Sequence, residues 1–412
     1  MSHLFICTGE VSGDLQASHL IRELLQQRPQ LRITAVGGER MAAAGAHLLH
    51  RTTEISSIGV LEALPFIGPA LWAEWKIRRF LAQDPPDVAV LVDYIGVNSR
   101  IARLLQRRQI PGIYYIAPQE WVWSQDTRIT YQLAQQMQLM LAIFPQEARY
   151  YEAAGAKVQY VGHPLLDILA SVPGRAEARA HLGIPADETV VVLVPASRRQ
   201  EIRSILPILL RSARLLQERL PQVRFWVPLA SPRFAAPIAR AARKLGVDLT
   251  LLDPQALPCD PGSGSPLPSP HQAHHLALAS ADLVLAKSGT VNLETAILGI
   301  PQVVIYRLNP ITFWIARHWL KVSVPFMSPP NLVQMRPIVP ELLQDQAQPE
   351  TVLELALALL TDPGRQAQLQ ADYASMRAAL GEPGVLRRAA RAILEVLDGQ
   401  TRSTWDPQSS PP

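Results

Sequence analysis

The stretch Leu4-Phe5-Ile6-Cys7-Thr8-Gly9-Glu10-Val11-Ser12-Gly13-Asp14 carries three signals in order. Leu4 to Cys7 form an apolar run that reads as a buried strand. Gly9 and Gly13 frame a turn, and Leu20, Ile21, Leu24 and Leu25 then recur at helical spacing. A strand passing through small residues into a helix N-terminus points free backbone N–H groups above the sheet. A bare glycine turn at that place suits a phosphate. Here Glu10 and Asp14 put carboxylates inside the turn, and carboxylates repel phosphate. The turn therefore suits chemistry on a hydroxyl or a sugar.

The same alternation runs along the chain. Strand-like runs fall at Leu4–Cys7, Arg32–Val36, Val88–Val92, Ile113–Ile116, Leu139–Phe144 and Val158–Val161, with helical stretches between them. A second series follows at Val190–Val194, Phe225–Leu229, Leu249–Leu252, Leu283–Ala286 and Val303–Tyr306. Short strands separated by helices mean βαβ units and parallel sheets. The turn residues Ser171-Val172-Pro173-Gly174 separate the two series. The expected architecture is α/β, with two Rossmann-like, doubly wound domains facing a cleft, over residues 1–172 and 173–398. The proline-rich stretch 253–270 reads as a surface insertion in the second domain, and 399–412 as a disordered tail. Ligands in such folds bind beyond the carboxyl ends of the strands.

Bulk properties narrow the function classes. The formal charge of the 412-residue chain is +4, too even to indicate a nucleic-acid partner. Its two cysteines, Cys7 and Cys259, are far apart and suggest neither a disulfide framework nor zinc, so a reducing cytoplasm is expected. The N-terminus lacks the pattern of a signal peptide, and no apolar run has the length of a membrane span. The expectation is a soluble protein or one resting on a membrane surface.

Most candidate residues fall just after strands. Ser288-Gly289-Thr290-Val291-Asn292-Leu293-Glu294 follows Leu283–Ala286 and opens a helix. Gly289 admits a diphosphate to the backbone, Ser288 and Thr290 supply hydroxyls, and Glu294 can accept the hydroxyls of a ribose. A helix capped by Thr290, with Glu294 complementing its dipole, is the competing reading. Ser197-Arg198 follows Val190–Val194, where an arginine can fork onto a diphosphate or simply begin a solvated helix. Asp93, at the end of Val88–Val92, is a general base or an ordinary turn aspartate. Gln119, Glu120, Trp121 and Trp123 share a loop that can stack on a sugar, flank an acyl chain or pack inward. His163 either faces the cleft or turns the chain.

Leu61–Leu81 joins Phe66, Ile67, Leu71, Trp72 and Trp75 to Lys76, Arg78 and Arg79, and Ile311–Phe326 has a similar mixture. Tryptophan beside basic residues suits a lipid interface, while an inward-packed helix with wet basic ends is the alternative. No Asp-x-Asp pair is present for a nucleotide-sugar-bound metal. Neither the phosphate loop of kinases nor the glycine fingerprint of dinucleotide dehydrogenases occurs.

In order along the chain stand GEVSGD, GVNSR after Asp93, APQEWVW, GHPLLD, ASRRQEI, SGTVNLE and MSPPNLV. Together these motifs resemble the lipid-A-disaccharide synthases, inverting and metal-independent glycosyltransferases of the GT-B architecture, over residues 4 to 396. The resemblance implies that UDP-2,3-diacylglucosamine and 2,3-diacylglucosamine 1-phosphate give the β(1→6) disaccharide 1-phosphate and UDP, with no cofactor. It implies UDP on the second domain, held by Ser197, Arg198, Ser288, Gly289, Thr290 and Glu294, with Asn331 nearby. The acceptor is expected on the loops of the first domain, where Asn98, Gln119, Trp121, His163, Phe66 and Trp72 are the candidate contacts. It further implies a cytoplasmic protein, peripheral on the inner membrane, and a dimer exchanging C-terminal segments.

The chain departs from the family pattern where it matters. The family typically has Asp-Ala-Pro-Asp-Phe-Asn where this chain has Asp93-Tyr94-Ile95-Gly96-Val97-Asn98. The second acid, often favoured as catalytic, is Gly96 here. Losing a base costs about 10²–10⁴ in rate, so Asp93, Glu10 and Asp14 become the candidates for it. A binding protein without turnover and a UDP-sugar 2-epimerase-like enzyme are the alternatives.

Overall fold

The computed structural model describes residues 2–51, 67–123, 127–195, 199–253, 270–308 and 325–399. Phe66, Ser197, Arg198, most of the proline-rich stretch, the segment 311–324 and the tail after Gly399 lie outside them. The chain divides into two compact units. One runs to Asp167 and resumes at Ala379, and the other spans Ile168–Ala378.

The first unit is built on seven parallel strands. They are β1 (His3–Cys7), β2 (Arg32–Gly37), β3 (His47–Arg51), β4 (Val88–Val92), β5 (Gly112–Tyr115), β6 (Leu139–Ala142) and β7 (Val158–Tyr160), in the order β3-β2-β1-β4-β5-β6-β7. Helices α1 (Val11–Gln27), α2 (Glu39–Ala43), α3 (Ile67–Gln83) and α4 (Ile95–Arg107) make the first crossovers. All five residues of β1 and of β4 are buried, as expected of central strands covered on both faces. The register aligns Cys7 with Val36 and Leu91, and Val92 with Tyr115. The turns after β1, β4 and β5 therefore leave the same edge of the sheet.

The second unit repeats the scheme with six parallel strands. They are β8 (Thr189–Val194), β9 (Val223–Pro228), β10 (Leu249–Leu252), β11 (Leu283–Lys287), β12 (Gln302–Tyr306) and β13 (Glu341–Leu343), in the order β10-β9-β8-β11-β12-β13. Val194 pairs with Ala286, and Lys287 with Ile305, so the ends of β8, β11 and β12 lie side by side. In both sheets the strand order reverses beside the first strand of the series, which is where doubly wound folds place their ligands.

Two expectations are corrected here. The boundary falls after Asp167 rather than after residue 172. The helix Val385–Leu397 belongs to the first unit and not to the second, because its apolar side, with Val385, Ala389, Ile393 and Val396 buried, packs on α1. The Asp167 carboxylate anchors its start by accepting the N–H groups of Gly384 (2.6 Å) and Leu386 (2.8 Å). Among the described residues no helix is long and apolar enough to cross a membrane.

Candidate functional site

Strain marks the carboxyl edge of the first sheet. Asp93 (φ 52°), Tyr94 (φ 45°) and Ile116 (φ 57°) lie in the left-handed region directly after β4 and β5. This conformation costs a non-glycine residue of order 1–3 kcal/mol and persists only when its surroundings hold it there. The Asp93 carbonyl accepts hydrogen bonds from Asn98 Nδ2 (2.8 Å) and the Tyr114 hydroxyl (2.9 Å), and its N–H donates to Tyr115 O (3.2 Å). Asn98 is wholly buried, with its amide directed at the backbone of Val92 and Asp93, so it positions the turn.

That anchoring presents the Asp93 carboxylate to the turn after β1. Its oxygens accept from the Ser12 hydroxyl (3.3 Å) and from Tyr94 N–H (2.8 Å). Desolvation pushes the carboxyl above its ordinary pKa, while those two hydrogen bonds pull the other way. Glu10, half-buried, is the N-cap residue of α1, and its charge reaches the Tyr94 phenol. Asp14 is otherwise engaged. Its oxygens accept the N–H groups of Gly38 (2.8 Å), Met41 (3.2 Å) and Arg40 (3.4 Å), which caps α2. Buried and occupied in this way, Asp14 is a structural cap and not a candidate base.

Gln119, Trp121 and His163 form one cluster at the neighbouring strand ends. Trp121 Nε1 donates to Gln119 Oε1 (2.7 Å), Trp121 meets the Phe144 ring edge-on, and Phe144 lies 5.1 Å from the His163 ring. His163 Nδ1 accepts from Leu165 N–H (3.2 Å), which places the proton of a neutral ring on Nε2. Beneath the cluster, fully buried Glu147 accepts the N–H groups of Ala117 (3.0 Å), Ile143 (3.1 Å) and Phe144 (3.3 Å). It ties the ends of β5 and β6 together. Glu120 is also interior, hydrogen-bonded to Thr130. Trp72 stands apart from these groups on α3, half-exposed beside Leu71 and Trp75, with Lys76 Nζ 3.8 Å above its ring.

In the second unit, Ser288 and Gly289 link β11 to the helix Thr290–Ile297. Gly289 N–H donates to the Asn292 side chain (2.7 Å), and Asn292 is held in turn by Gln302. Nothing lies within 4 Å of where a Cβ at Gly289 would stand, so the turn is open. Thr290 is exposed beside it. Glu294 is buried against the helix Pro270–Ser280, accepting from His274 Nε2 (3.1 Å), with His275 Nε2 at 3.9 Å. Burial alone would raise its pKa. The two imidazoles outweigh burial and hold the carboxylate well below its usual range.

Asn331 does not point at this turn. Its amide donates to Val339 O and Glu341 Oε2 (3.0 Å each), and its oxygen accepts from Ile338 (2.8 Å) and Val339 (2.9 Å) N–H. Every hydrogen-bonding position of the amide is in use, so Asn331 shapes the loop before β13. Glu341, unremarked in the sequence, also accepts Ser328 N–H (2.9 Å) and Met327 N–H (3.0 Å), and Met327 O accepts the Ser288 hydroxyl (2.6 Å). Lys287 is the other omission. It ends β11 beside the open turn, 3.0 Å from Glu201.

Comparison with known proteins follows the same outline. A family model described as lipid-A-disaccharide synthetase matches residues 4–396. The lipid-A-disaccharide synthase of Gloeothece citriformis is 45% identical over 398 residues, covering 95% of this chain and 99% of that protein. That of Synechocystis sp. is 43% identical over 407 residues, covering 97% and 99%. Among solved structures, the S. aureus MnaA-UDP co-structure matches with a TM-score of 0.65 at 12% identity, over 98% of this chain and 100% of that one. At that identity the likeness is one of fold.

Proposed function

The chain belongs to the lipid-A-disaccharide synthase family and is a glycosyltransferase of two Rossmann-like units, and from that premise we propose how its residues divide the reaction. The donor is UDP-2,3-diacylglucosamine and the acceptor 2,3-diacylglucosamine 1-phosphate. The products are UDP and the β(1→6) disaccharide 1-phosphate. In our reading the second unit holds UDP. The N–H groups opening the helix Thr290–Ile297, with Ser197 and Arg198, take the diphosphate. Lys287 adds positive charge there, and the Glu294 carboxylate, kept ionised by its histidines, accepts the ribose hydroxyls.

The first unit, on the same reading, receives the acceptor. Asp93 takes the proton of the 6-hydroxyl as its oxygen bonds to the anomeric carbon. The bond from that carbon to the diphosphate breaks, and its electron pair leaves with UDP. One displacement inverts the configuration without a covalent enzyme intermediate. Gln119, Trp121 and His163 flank the sugar, while Trp72 and Trp75 face lipid. The reading also includes a peripheral position on the cytoplasmic face of the inner membrane, and a dimer.

The observation that carries this assignment is the desolvated Asp93 carboxylate, held by Ser12 over a strained strand end. Purified protein incubated with both substrates in detergent is expected to release UDP and form disaccharide. Asp93→Asn should lose about 10²–10⁴ in turnover at unchanged UDP affinity. Glu294→Gln should weaken UDP binding about 10- to 100-fold, the range of a charge-assisted hydrogen bond. Normal turnover by the first variant or normal UDP affinity in the second would remove that residue from its role. UDP binding with no disaccharide formed by the wild-type protein would favour a binding protein instead.

A further inference from the structure

Tyr94 holds an unfavourable backbone conformation. It follows Asp93 in the left-handed region, so two adjacent non-glycine residues carry strain together. The turn after β1 is shaped around its ring. A Cβ at Gly9 would overlap the ring edge and stand 2.8 Å from Tyr94 Cγ, so only glycine lets the phenol lie against that backbone.

The other end of the ring lies beside Gly96. A Cβ at Gly96 would stand 3.7 Å from the phenol oxygen, and Gly96 itself is exposed and carries nothing there. Among the described residues the Tyr94 hydroxyl makes no hydrogen bond. The hydroxyls of Tyr114, Tyr151, Tyr160 and Tyr373 instead donate to backbone carbonyls. Burial and the nearby Glu10 charge raise the phenol pKa while Arg100 opposes them, so the group keeps its proton and serves as a donor.

We propose that Tyr94 is a catalytic group of the acceptor site, whose hydroxyl hydrogen-bonds the attacking oxygen of the acceptor sugar and holds it against Asp93. This rests on the reading of Asp93 as base. During transfer the acceptor proton passes to the Asp93 carboxylate, the new glycosidic bond forms as the bond to UDP breaks, and the phenol remains protonated. The hydrogen bond orients the oxygen lone pair towards the anomeric carbon. The turn after β1 meets both groups, with Ser12 at the Asp93 carboxylate and Gly9 against the Tyr94 ring.

Tyr94→Phe keeps the ring on Gly9 and removes only the hydroxyl. In full-length protein assayed for UDP release with both diacylglucosamine substrates, kcat is expected to fall about 10- to 100-fold. Acceptor KM should stay within about threefold, and UDP affinity should be unchanged. A purely packing role predicts wild-type kcat in the phenylalanine variant. Wild-type kcat in Tyr94→Phe together with an inactive Asp93→Asn overturns this inference and leaves the base in place. An active Asp93→Asn overturns the base and the inference with it.

Discussion

Asp93 is chemically useful because opposing influences meet on one carboxylate. Desolvation favours the neutral acid, and the Ser12 hydroxyl and Tyr94 N–H favour the anion. The balance leaves its pKa raised, so a larger share of the group is protonated in mild acid than for a free aspartate. Catalysis needs the anion. Activity is therefore retained above the raised pKa and lost as pH falls through it. The acid limb of kcat/KM is expected to lie above about 3.9, the ordinary aspartate value. Ser12→Ala, which removes a hydrogen bond to the anion, should move that limb further up. A pH–rate profile of UDP release for both proteins checks this, and a limb at the ordinary value in each would contradict it. Asp93 and Glu294 could be proposed from the sequence because an acid at a strand end or in a helix's first turns is a local pattern. The capping contacts of Asp14 were not legible, since it caps a helix that the chain reaches only after β2. Glu341 left no local signal either, because its partners Met327 to Asn331 approach it only when β13 joins the sheet.

The buried central strands were readable, and so were two of the four edge strands, β7 and β10. The central strands β1, β4, β8 and β11 are near-continuous apolar runs, and the sequence marks each to within a residue of its bounds. The edge strands β3 and β13 escaped. β3 (His-Leu-Leu-His-Arg) is no more than half-buried and has no β-branched residue, and β13 has three residues. Helix α3 shows the converse, since it carries large apolar residues on its exposed side as well as on its buried one. Trp72, Trp75 and Leu71 are each about half exposed while Ile77 and Leu81 face the core. Lys76 and Arg79 sit over the two indoles, as suits a headgroup layer. The variant carrying both Trp72→Ser and Trp75→Ser should bind anionic vesicles at least about tenfold more weakly in sedimentation. Its UDP affinity should be unaltered. Vesicle binding equal to wild type would take α3 out of the membrane contact.

At the scale of the molecule, the chain leaves the first unit at Asp167 and returns to it at Ala379, a path no local pattern announces. The return is secured at several points. Arg388 donates to Val161 O (2.8 Å), Tyr160 OH donates to Ala379 O (3.1 Å), and Arg28 pairs with Asp398 (2.6 Å). The helix Val385–Leu397 also buries Val385, Ile393, Leu394 and Val396. At about 1.5–3 kcal/mol for each such side chain, its removal takes away stability comparable to that of an ordinary domain, about 5–15 kcal/mol. The second unit keeps its whole sheet without this helix. A chain ending at Pro383 is therefore expected to lose a cooperative unfolding transition in calorimetry, together with all disaccharide synthesis. It should still bind UDP within about threefold of the wild-type affinity, because the groups assigned to UDP all precede residue 378 and, among the described residues, none of the hydrogen bonds of Ser288, Gly289 or Glu294 involves the deleted segment. Loss of UDP binding with loss of the helix would show that the donor site depends on the first unit, and that the two folding units are not two functional ones.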